Sequence, residues 1–161
     1  MQVEIPFNRL EIACLILHMY SMRDSIKKVL KSNYGKVSGK NHLKTYDEVK
    51  QILKYEFELL EEDDNETKVL FLFEENEFEM LNSFVDIYIE KLSAFMKEAK
   101  MNSAEDKEQM DLLQQIKEKI DQEKALKVNS ELFEGEVKDE DKGQYFLDVK
   151  ERNQKEKAIN V

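Results

Sequence analysis

Three side chains near the start of the chain are of the types that nucleophilic and acid–base chemistry uses. Glu11, Cys14 and His18 fall at i, i+3 and i+7, within about 100° of one another on a helix. A thiol nucleophile needs a histidine base at that kind of distance and a third group to orient it. The flanking residues argue for another role. Ile12, Ala13, Leu15, Ile16 and Leu17 make the segment apolar, and side chains on one rigid helix do not converge on a substrate with oxyanion donors opposite. Cys14 and His18 are therefore read as core residues. No catalytic residue is assigned, and a Cys14/His18 enzyme stays as the alternative from another class.

Other chemical patterns are incomplete. Cys14 and His18 supply only two metal ligands and His42 is the only other histidine, so zinc would need Asp or Glu as well. The segment Gly35 to Lys40, GKVSGK, has one residue too few for a P-loop, carries Asn41 where Ser or Thr would hold magnesium, and follows a helix instead of a strand. The acidic runs Glu61 to Glu66 and Asp139 to Asp141 lack the Gly and Glu spacing of a calcium loop. No metal or cofactor is expected.

Charge is sorted along the chain. Ser25 to Tyr46 holds six lysines and no acid, whereas Glu56 to Glu79 holds eleven acids and one lysine, on a protein of net charge −10. A local positive patch on an acidic body follows. Lys27, Lys28 and Lys31 suit the negative end of a helix dipole, and Lys36, Lys40 and Lys44, with Tyr34 and His42, are read as a basic loop. Direct binding of nucleic acid is not expected, because the stretch has no arginine and the acidic remainder repels phosphate.

With 161 residues the chain fits one core, and fifteen Phe and Tyr side chains argue against global disorder. Four Gly and one Pro leave few turn signals, which favours long helices. The single Cys14 cannot form an internal disulfide, and no secretion signal or membrane-length apolar run is read, so a cytoplasmic protein is expected.

The elements that place these residues can be read in order. Val3, Ile5 and Phe7 alternate as a short strand with Pro6 confining it to an edge, and Asn8 caps a first helix from Leu10 to near Ser32. After a loop at Asn33, Gly35 and Gly39, the pair Thr45 and Glu48 predicts a second capped helix that frays at Glu61 to Glu66. Lys68 to Phe73 reads as a buried strand, Glu75 to Met101 as an amphipathic helix, and Ser103 with Asp106 as the start of a fourth helix ending near Lys127. Sliding the chain by 68 residues aligns strand on strand and helix on helix, Glu11 on Glu79 and Tyr20 on Tyr88 among them. Beyond Asn129, Phe133, Gly135 and Val137, then Tyr145, Leu147 and Val149, alternate as a hairpin, and Glu151 to Val161 reads as a solvated tail.

The fold class expected is thus mainly α with minor β. Two strand-helix-helix units give paired short strands and a four-helix core over residues 1–128, with a hairpin appendage over 129–150 and a flexible tail over 151–161. The function expected is a non-enzymatic protein-protein interaction module. Its contact face combines Tyr34, Lys36, Lys40 and Lys44 with Phe133, Tyr145 and Phe146, the last standing on the polar side of its strand and so available to a partner. The alternative is an acidic DNA mimic using Glu61, Glu62, Asp63, Asp64 and Glu66. Homodimerisation is expected as well, because the apolar face of the first helix exceeds what one chain covers. The Lys, Glu, Asn and Ile bias resembles that of proteins from AT-rich bacteria and their phages, which implies an inhibitor or modulator of a larger host protein.

Overall fold

The structure is a computed structural model that describes residues 2–99, 103–133 and 144–146. Two strands, β1 (Gln2–Asn8) and β2 (Lys68–Glu74), pair antiparallel with Ile5 opposite Phe71 and Pro6 opposite Leu70. Successive side chains on a strand alternate faces, so Val3, Ile5, Phe7, Phe71 and Phe73 point together into the core. The other face of this two-stranded sheet is open. Leu70 is 58% and Leu72 50% exposed, which corrects the expectation of a strand buried throughout.

Asn8 closes β1 and opens α1 (Arg9–Ser21) with a capping box. Its side chain accepts from the Glu11 amide, and the Glu11 carboxylate accepts from the Asn8 amide, both at 2.9 Å. Met22 interrupts the helix for one residue, and α2 (Arg23–Leu59) continues from there. Gly35, at φ 83 and ψ 179, divides α2 into two arms, 23–34 and 36–59.

The arms fold back on each other. A Cβ on Gly39 would stand 3.0 Å from the Leu30 carbonyl oxygen, and Arg23 forms a bidentate pair with Asp47 at 2.8 and 2.9 Å. The loop expected between Ser32 and Thr45 is therefore a one-residue corner, and the second helix begins at Lys36. Thr45 does not cap it. Its hydroxyl donates to the Asn41 carbonyl within the helix, because burying Leu43 and Tyr46 beside Ile26 and Leu30 outweighs the local cap signal.

Two further helices, α3 (Glu75–Ala99) and α4 (Ala104–Phe133), complete the body. Ser103 caps α4, accepting from the Asp106 amide at 3.2 Å. Phe78, Met80, Leu81, Phe84 and Val85 of α3 meet Leu113, Ile116 and Ile120 of α4 in a core shared with β1, β2, α1 and α2. Lys117 ties α4 to α3 through Asp86 at 2.6 Å and Asn82 at 2.9 Å. Lys119 ties it to the first unit through Glu11 at 2.6 Å and the Pro6 carbonyl at 3.0 Å.

The two strand-helix-helix units are thus present, but their offset is 66, not 68. Strands open at Gln2 and Lys68 and the following helices at Arg9 and Glu75, each pair 66 positions apart.

The expected C-terminal hairpin lies mostly outside the described residues, as does the tail. Inside them, Phe133 is the last residue of α4, and Gln144–Phe146 form a 3-10 turn, η1, that packs on α2 and α3.

Candidate interaction surface

Lys36, Lys40 and Lys44 recur every four residues on the second arm of α2, and all three are exposed. Four-residue spacing puts them in one row on a helix. The basic segment is consequently a rigid stripe and not a loop.

Lys40 and Lys44 flank an open groove of about 670 Å³ whose other lining residues are Leu43, Asp47, Glu48, Gln51, Ile52 and Glu77. Much of its surface is apolar, since long charged side chains lay their methylenes along such a wall and keep their heads in water. The groove lining thus carries charge of both signs, Lys40 and Lys44 against Asp47, Glu48 and Glu77. Arg23 and Lys50 hold the Asp47 carboxyl below the ordinary value, the Arg23 hydrogen bonds contributing most.

Beside the stripe, Tyr34 and His42 lie edge to face with ring centroids 4.4 Å apart, and Tyr145 closes on His42 at 4.9 Å. Asn33 Nδ2 donates to the Tyr145 carbonyl at 3.3 Å, fixing η1 in place. Burial pushes the Tyr145 phenol up and the His42 imidazole down. Tyr34 and Tyr145 lie near each other, with ring centroids 6.2 Å apart. Phe146 is not available to a partner. It is 8% exposed and belongs to the core, because the 3-10 turn directs it inward where a strand would have turned it out. Phe133 stands at the end of α4, and its side chain is not among those described.

The acidic segment is an ordered loop. Asp64 accepts from the Glu66 amide at 3.2 Å and from the Thr67 amide and hydroxyl at 3.0 and 2.6 Å, an Asx-type turn. Those bonds, the Thr67 hydroxyl foremost, lower the Asp64 carboxyl. Glu61, Glu62, Asp63 and Glu66 are left exposed around it.

Cys14 and His18 lie inside the body. Burial, reinforced by the Glu11 charge, pushes the Cys14 thiol up to about 11, so it stays protonated near neutral pH. His18 stacks on Tyr88 with centroids 4.2 Å apart, and burial lowers its imidazole. The Glu11 carboxylate faces Lys119 and the Asn8 amide, and no hydrogen bond among the described residues joins it to Cys14 or His18.

The groove floor is the part that sequence reasoning missed. Leu43 and Ile52 follow the helical period, but only the Gly35 corner brings residues from Lys40 to Ile52 into one continuous helix wall. No helix among the described residues is long and apolar enough to cross a membrane, and none of their His, Cys, Asp and Glu side chains form a group of three suited to a metal ion. No known family model matches the chain, nor does any curated protein or solved structure.

Proposed function

We propose that this chain is a protein-binding module that acts by occupying the surface of a larger cytoplasmic partner, as an inhibitor or a subunit. The observation that carries this reading is the α2 groove. An apolar trough with Leu43 and Ile52 in its lining, together with Lys40, Lys44, Asp47, Glu48 and Glu77, has the mix of apolar and charged surface that recognition surfaces use. Its walls are a helix braced by the Arg23–Asp47 pair, so little ordering is required on binding. Lys36 extends the basic rim, and Tyr34 and Tyr145 stand next to it.

The test is affinity capture from the source cell with the intact chain, comparing Ile52→Glu/Lys44→Glu with a variant carrying Lys at positions 61, 62, 63 and 66. Circular dichroism first establishes that both are folded. A protein captured at least about tenfold less by the groove variant, and equally by the loop variant, supports the proposal. Loss by the loop variant alone transfers the function to the acidic run and favours nucleic-acid mimicry, for which the ordered carboxylates around Asp64 are the supporting feature. An identical set of captured proteins in both refutes the two readings together.

A further inference from the structure

The two edges of the small sheet are not alike. Pro6 has no N–H to donate to β2, and its carbonyl accepts from Lys119 Nζ. Pro6 and Leu70 are therefore a non-hydrogen-bonded pair of the antiparallel ladder, in which N–H and C=O groups point away from the partner strand. The residues of the same alternation agree: the Asn8 amide donates to Glu11 and the Glu74 amide to Glu77, both outside the ladder. On β1 this outward edge is closed by proline, by Lys119 and by the capping box. On β2 it is not. Leu70 and Leu72 turn N–H and C=O outward, and no hydrogen bond among the described residues reaches them.

Natural edge strands are blunted by proline, bulges, inward charges or cover, because a bare ladder recruits another strand. The centre of β2, Val69 to Phe73, carries none of these, and its two outward leucines are at least half exposed. The strand is also complementary to itself. Read antiparallel about Phe71, KVLFLFE sets Lys68 opposite Glu74, Leu70 opposite Leu72, and Val69 opposite Phe73.

We propose that two copies of this chain associate through β2, antiparallel about Phe71, to make one continuous sheet of two strands from each copy. Leu70 exchanges both backbone hydrogen bonds with Leu72 of the second copy, and Leu72 with its Leu70. These four leucines form an apolar strip on the outer face, bounded at each end by Lys68 against Glu74 of the other copy. Glu74 already accepts from Gln2 at 3.1 Å and keeps capacity for the ammonium. The surface shares no residue with the α2 groove, so either proposal can fail without the other.

Two chains of −10 repel, and the acids of Glu61 to Glu66 approach Glu75 and Glu77 of the other copy. The assay is therefore run in about 1 M NaCl, where the screening length is about 3 Å. Sedimentation equilibrium over a micromolar to millimolar series is paired with amide hydrogen exchange of the intact chain. The expected result is a monomer–dimer equilibrium in which exchange at Leu70 and Leu72 slows about tenfold or more with concentration, while Phe71, already bonded to β1, is unaffected. Leu70→Pro removes one outward N–H without touching the β1–β2 ladder and should return the monomer. Leu70→Lys/Leu72→Lys, on exposed positions, should do the same if the proline variant does not fold. A monomer throughout the series overturns the proposal. So does a dimer whose Leu70 and Leu72 amides exchange at the monomer rate, a result that would locate the contact elsewhere.

Discussion

Gly35 carries the corner on which the lysine stripe and the groove depend, and Gly35→Ala tests it. A Cβ there would meet nothing within 4 Å, so the effect is one of backbone alone. At φ 83 and ψ 179 the residue occupies a region essentially restricted to glycine, where an L side chain costs about 1–3 kcal/mol. Alanine also stiffens the unfolded chain, which returns about 0.4–1 kcal/mol. The net expectation is a loss of about 1–2 kcal/mol, or about 2–8 °C in Tm for a chain of this size. Urea unfolding followed by helical circular dichroism measures it. Gly35→Asn sharpens the test. Asparagine tolerates the left-handed helical region near ψ +47°, but not this extended ψ, so it should do no better than alanine. Stability within about 0.5 kcal/mol of the parent for Gly35→Ala, or rescue by asparagine, would refute the corner as described.

Three further outcomes follow from the buried polar groups. Lys119→Met leaves the Glu11 carboxylate buried with only the Asn8 amide, and should destabilise by about 3 kcal/mol, the low end of the range for buried pairs because Lys119 is partly exposed. Adding Glu11→Gln should recover most of that loss in the same urea assay, and no recovery would show that the ion pair was not its source. His18 and His42 sit below the ordinary imidazole value, so the unfolded chain binds more protons near pH 6. Stability is then complete above about pH 6.5 and declines as pH falls below it, and His18→Phe should reduce the drop in urea midpoint between neutral and mildly acid buffer. Cys14, held to about 11, should resist an aromatic disulfide reagent at pH 8 in the native state and react at the unfolding rate in urea, so rapid native labelling would contradict its burial.

What could be read from the sequence followed the range of the forces involved. Asn8 announces its cap because the interaction is local, its side chain accepting from an amide three residues on, while the return bond to Glu11 shows only in the structure. β1 and α3 declare themselves through periods of two and 3.6, and β2 through a short apolar run rich in strand formers. Thr45 and Glu48 carry the same local signature as a true cap and are overruled, since the helix is extended to Lys36 by contacts with an arm that Gly35 alone folds back. Five apolar residues from Val69 to Phe73 look buried on both faces, but that depends on what packs on each face, and here only the face of Phe71 and Phe73 is covered while Leu70 and Leu72 are exposed. The strand alternation that would turn Phe146 outward does not apply in a 3-10 turn.

The offset of 66 bears on the thiol and imidazole. With Ile5 opposite Phe71, Val3 opposite Phe73 and Phe7 opposite Val69, the two strands are related by a local twofold axis through the centre of the sheet. The caps obey it as well, because Asn8 donates to Glu11 as Glu74 donates to Glu77. Carried along the helices, the same shift sets Ile12 on Phe78, Leu15 on Leu81 and Met19 on Val85, all of them buried. Cys14 then falls on Met80 and His18 on Phe84. In the second unit these positions hold large apolar side chains that fill the core, and Phe84 lies against Tyr88 and Tyr46. His18 of the first unit stacks on that same Tyr88. Packing demand alone accounts for a small apolar-tolerant thiol and a neutral aromatic ring at Cys14 and His18, and the lowered imidazole and raised thiol are the electrostatic consequence of meeting it.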